Sequence, residues 1–192
     1  MSVFSDRRAI LAGVCFSVFA CCFAWGQEHS PRWAKAARIF DLRCEHHCES
    51  TEVTSPDGRY SVGFDYASGE SARVVLLHGE EWVADLDVSS WQQAEIQWSP
   101  GSRAFSMMGD EGEHPPDVRV WVLEEGCARE VDLHGLAGTA VGWKDARRLV
   151  VETSPVGGGV VVDVLSGKIQ RVGAKEFAAR WRSGLVGMPV RK

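Results

Sequence analysis

The densest set of reactive side chains in the 192-residue chain is Cys44-Glu45-His46-His47-Cys48. Thiolate and imidazole are ligands that Zn²⁺ or copper takes, and two cysteines with one histidine would make most of a tetrahedral site. The spacing is not that of a zinc module, and no second Cys/His pair follows at a useful distance. A Cys44–Cys48 disulfide closing a small loop is therefore preferred over a metal held by Cys44, His46, His47 and Cys48, and pairing of either thiol with Cys127 stays open. Asp110-Glu111-Gly112-Glu113-His114 offers carboxylates to Ca²⁺ but lacks the alternating ligand spacing of an EF-hand. It reads more simply as a solvated loop. No Gly-x-Ser-x-Gly elbow, His-Glu-x-x-His pair or glycine-rich phosphate loop is present, and Gly157-Gly158-Gly159 reads as a hairpin turn between valine-rich runs. The sequence thus nominates no catalytic or cofactor-binding residue and implies no cofactor. Seven tryptophans lie beyond residue 26. Trp98, Trp121 and Trp143 fall at core positions, while Trp82 and Trp91 are less constrained and are the candidates for stacking on a sugar or anchoring a partner.

The elements that would position these residues begin after a leader. Arg7 and Arg8 precede an uncharged apolar run from Ala9 to Trp25, and Ala24-Trp25-Gly26 places small residues at the −3 and −1 positions of a cleavage site. Residues 1–26 read as a signal peptide, so an extracytoplasmic location, periplasmic or secreted, is expected. An uncleaved anchor, a twin-arginine signal or a lipid on Cys21 are the alternatives that would tie the chain to a membrane. Without 1–26 the chain keeps Cys44, Cys48 and Cys127 and a net charge of −6. Neither that charge nor the scattered Lys and Arg gives the basic footprint of a nucleic-acid binder.

The rest repeats. Ser55-Pro56-Asp57-Gly58-Arg59, Ser99-Pro100-Gly101-Ser102-Arg103 and Trp143-Lys144-Asp145-Ala146-Arg147 each lead into a strand-like run, and their arginines are 44 residues apart. Each unit parses into four short strands with period-2 alternation, bounded by Gly, Pro and Asp. Arg73 to Leu77 and Trp82 to Val88 are the third and fourth strands of the first unit. Ala94 to Trp98, Arg103 to Gly109, Val118 to Leu123 and Cys127 to Leu133 are the four of the second. The fold class is all-β, with short helical terminal segments.

The S-P-D-G-R turn opening a strand, the V-R-V-W-V and V-V-V-D-V strands and the S-G-K turn together resemble the blade of WD-repeat and, more closely, TolB-like β-propellers. The resemblance covers 51–172. It implies about three four-stranded blades, hence a partial or open propeller, because closed propellers take four to eight. The shortage has three remedies: Arg38 to Val53 supplies a partial fourth blade, two chains form a six-bladed homodimeric ring, or the ends cap an open arc. Segment 27–50 is read as a helical cap starting at Ser30-Pro31 or as that partial blade. Segment 173–192 is read as a helix and tail, with Phe177 and Trp181 on one helical face. The function expected is a non-enzymatic interaction module of the bacterial cell envelope, with a protein or glycan partner. The alternative is a small exported enzyme or metal-handling protein using the Cys44–Cys48 cluster.

Overall fold

A computed structural model of the chain describes residues 38–42, 51–66, 72–88, 90–110, 115–154, 158–181 and 185. These form three antiparallel sheets and one short helix. The first sheet runs in chain order through β2 (Thr51–Thr54), β3 (Tyr60–Asp65), β4 (Arg73–His78) and β5 (Glu81–Asp85). The second contains β6 (Gln93–Trp98), β7 (Ala104–Asp110), β8 (Asp117–Glu124) and β9 (Cys127–Glu130). The third contains β10 (Ala140–Trp143), β11 (Arg148–Ser154), β12 (Gly158–Asp163) and β13 (Lys168–Val172), followed by α1 (Ala174–Arg180). The strands read from alternation are found within a residue or two of their expected ends, except that β5 and β9 stop three residues short. Gly158 and Gly159, expected in a turn, belong to β12.

The N-terminal expectation is corrected. Arg38–Asp41 is a strand, β1, and it pairs antiparallel with β6 as a fifth strand of the second sheet. It starts neither a fourth four-stranded unit nor, at Ile39, the end of a helix. Its pairing partner lies more than fifty residues on, so no local pattern could announce it. The rest of the presumed helical cap, 27–37, lies outside the described residues, as do the leader and segment 43–50.

Alternation assigns each strand two faces, and the core follows from which face meets which neighbour. Val62, Phe64, Val74 and Leu76 of the first sheet pack with Ala94, Ile96, Trp98, Phe105, Met107 and Trp121 of the second. The opposite face of the second sheet, with Ala104, Met108, Val118 and Val120, packs on Val141, Trp143, Leu149, Val151 and Val162 of the third. The middle sheet is therefore covered on both sides, which is why Ala104-Phe105-Ser106-Met107-Met108-Gly109 is buried without a break. On the far side of the third sheet, Val150 and Val172 are sealed by Phe177 and Trp181 of α1 and the residue that ends it. The expected pairing of those two aromatics on one helical face holds, with their rings 5.9 Å apart edge to face.

Two further contacts tie the sheets together in register. The Trp98 indole Nε1 donates to the Val53 carbonyl at 2.8 Å, and the Trp143 Nε1 donates to the Gln97 carbonyl at 3.0 Å. In both cases a tryptophan ending the first strand of one sheet reaches the first strand of the sheet before it. The β2–β3 and β6–β7 turns also touch, the Asp57 backbone N–H donating to Ser102 Oγ at 3.0 Å. Equivalent turn positions take the left-handed conformation: Gly58 at φ 74° and Ser102 at φ 57°.

Candidate functional site

Two of the expected sites fall where nothing can be said of their geometry: Cys44, His46, His47 and Cys48, and the acidic loop beyond Asp110, lie outside the described residues. Cys127 begins β9, exposed and with a free thiol. Among the described residues no group of three His, Cys, Asp or Glu side chains is placed to hold a metal. Nor is any helix long and apolar enough there to cross a membrane.

The two stacking candidates separate. Trp91, expected to have an open face, is 2% exposed. It follows β5 on the crossing to the second sheet, where its ring lies flat on Gly109 of β7: a methyl group at Gly109 would sit 1.7 Å from a ring carbon. The Arg119 guanidinium covers the ring 5.3 Å from its centroid and donates to the Asp87 carbonyl. Trp91 is thus sandwiched and offers no surface to a ligand. Trp82 is 59% exposed and stands on β5 opposite Leu77.

Trp82 belongs to a surface that sequence reasoning did not identify, the outer face of the first sheet. Since Val62, Phe64, Val74 and Leu76 point into the core, the register places Ser61, Gly63 and Asp65 of β3 on the other side with Arg73, Val75 and Leu77 of β4. Glu52 of β2 and Asp85 of β5 flank them. Val75 and Leu77 are half-buried, and they lean over Gly63, whose missing side chain leaves the centre of the face shallow. Arg73 holds Asp85 through two hydrogen bonds, 2.7 and 3.0 Å, and lies over the Trp82 ring at 4.7 Å. Those hydrogen bonds lower the Asp85 pKa. The result is a shallow apolar strip with an aromatic at its edge and carboxylates around it. No described residue covers this face. The signal in the sequence was the alternation of Ser61, Gly63 and Asp65 with Val62 and Phe64. It marks this face as the polar, small one.

One buried group stands apart. Glu95 on β6 is fully buried, its Oε1 accepting from Gln97 Nε2 at 2.7 Å, while its Oε2 has no partner. Gln97 Nε2 also donates to the Val141 carbonyl of the third sheet at 3.2 Å. Burial pushes the Glu95 pKa up to about 7, against the opposing pull of the Gln97 hydrogen bond. The carboxyl can exchange a proton near neutrality. Two open clefts among the described residues do not reach it: one of about 480 Å³ is lined by Asp117, Arg119, Glu130, Asp132 and Leu136, the other of about 270 Å³ by Arg73, Asp85, Leu86 and Val88. This makes Glu95 a pH-sensitive element of the sheet–sheet contact.

Comparison with known proteins gives no family to set beside this geometry: no family model, no curated protein and no solved structure matches the chain.

Proposed function

We propose that the protein is an exported, non-enzymatic interaction module of the cell envelope, built as a three-bladed partial β-propeller and binding its partner through the outer face of the first sheet. The observation that carries the reading is the contrast between the two ends of the stack. The third sheet ends under Phe177 and Trp181, whereas the first presents Val75, Leu77 and a 59% exposed Trp82. Exposed aromatics on an otherwise packed sheet are the usual anchors of protein interfaces. The blade reading is supported by the 44-residue spacing, by sheets that each take four consecutive strands, and by the repeated tryptophan link between first strands. α1 on the third sheet favours an open arc sealed at that end over a closed ring. The leader at 1–26 supports export.

The test is a photo-reactive residue placed at position 82 and, separately, at exposed Glu125 in the turn between β8 and β9, in cells making the full chain. Cross-linking from 82 to a partner of defined mass, absent from 125, supports the proposal, and N-terminal sequencing of the adduct reports processing near Gly26. Equal products from both positions, or none from 82, would count against it.

A further inference from the structure

The two ends of the stack differ in charge as well as in cover. Residues 51–85, the first sheet, hold two basic and seven acidic residues, a net −5. Residues 140–181, the third sheet with α1, hold seven basic and four acidic residues, a net +3. On the first sheet the acids reach the open face itself, with Glu52, Asp65 and Asp85 around Val75 and Leu77 and only Arg73 opposing them. At the other end, Lys168 and Lys175 are exposed, and among the described residues neither makes an ion pair, while exposed Arg171 stands beside Val160 on the face toward the second sheet. Lys144 lies over the Trp181 ring at 5.4 Å and adds to the same positive end.

From this we infer that the outer face of the first sheet docks the α1 end of a second copy of the chain, head to tail. The inference rests on the interaction reading above and names its partner. Two first-sheet faces cannot meet each other comfortably, since each is strongly acidic and like charges across an interface are repulsive. The basic end of another copy supplies the opposite charge, and the apolar strip around Trp82 supplies desolvation. Such a contact is heterologous, so it leaves one acidic face and one basic end free and propagates unless the geometry closes it. The area is small. Four strands about 4.8 Å apart and about five residues long at about 3.3 Å per residue cover roughly 300 Å², against roughly 800 Å² per partner in a standard stable interface. The association is therefore weak, reversible and dependent on salt, because exposed charges are screened within about 10 Å at 0.1 M salt and about 3 Å at 1 M.

Sedimentation equilibrium of the purified protein tests it. The weight-average mass should rise with concentration at low salt to twice the monomer value or beyond, and return to the monomer at high salt. Trp82→Lys alone, and the triple variant Lys144→Glu, Lys168→Glu, Lys175→Glu alone, should each remain monomeric, since each lacks one of the two surfaces. Mixed, they should form a 1:1 complex that grows no further, because each retains the surface the other has lost. A wild-type protein that stays monomeric at low salt overturns the inference. So does association that strengthens with salt, the sign of two acidic faces meeting, or a triple variant that still self-associates. If the wild type is monomeric but position 82 still cross-links to a different protein in cells, self-docking fails while the interaction reading stands.

Discussion

At the scale of single residues, close approach and burial decide what each position tolerates. Trp91 lies on Gly109 with no space for a methyl group, so Gly109→Ala should cost about 1–3 kcal/mol of stability, read as a lower denaturant midpoint with an unchanged slope. Glu95 gives a pH signature. Its folded pKa of about 7 exceeds the ordinary 4.5, so between these values the folded state holds more protons than the unfolded one. Stability from this group is complete below pH 4.5, is lost as pH rises towards 7, and stays lost above it. At about 1.4 kcal/mol per pH unit the loss comes to about 3.5 kcal/mol. Asp57, lowered to about 2 chiefly by the Ser55 hydroxyl and then by Arg59, acts only below its ordinary 3.8 and leaves that window clear. Denaturation series from pH 4.5 to 8 should show the decline in the wild type and a flat profile in Glu95→Gln; equal slopes in both would remove the assignment. Trp98 and Trp143 were legible as core residues because they occupy equivalent places in successive repeats. Trp91 was not, since it lies on a connection and its burial depends on a glycine eighteen residues later on another strand.

The elements were legible wherever local pattern dictates them. Alternation gave β3 to β9 and β11 to β13, and the four-residue spacing of Phe177 and Trp181 gave α1 and its buried side. Long-range pairing was not available from pattern: β1 joins β6 across the whole first sheet, and the two tryptophan links join sheets about 45 residues apart. Those links yield a prediction at this scale. Trp98→Phe and Trp143→Phe keep most of the apolar volume but remove the indole donor, and each should cost about 1–2 kcal/mol. The seal on the third sheet is more sensitive. Phe177 is fully buried against Gly159, Val150 and Val172, so Phe177→Ala should cost about 3–5 kcal/mol. Amide exchange should then accelerate first in β12 and β13, where α1 packs. If instead exchange rises evenly through all three sheets, α1 is not a local cap.

For the whole molecule, the turn-and-strand repeat announced three similar sheets, and the structure stacks them through two shared cores. The seal on the third sheet was legible from Phe177 and Trp181, whereas the place of β1 beside β6 was not, because it depends on a partner distant in sequence. The consequence is an asymmetric stack, sealed and basic at one end, open and acidic at the other. Hydroxyl-radical footprinting of the purified protein, dilute and at high salt so that copies stay apart, measures that asymmetry directly by mass spectrometry. Trp82, 59% exposed, should be oxidised rapidly together with Leu77, while Trp181 at 7% and Trp91 at 2% stay protected. Protection of Trp82 under these conditions, or oxidation of Trp181 at the same rate, would contradict an open first sheet opposite a sealed third.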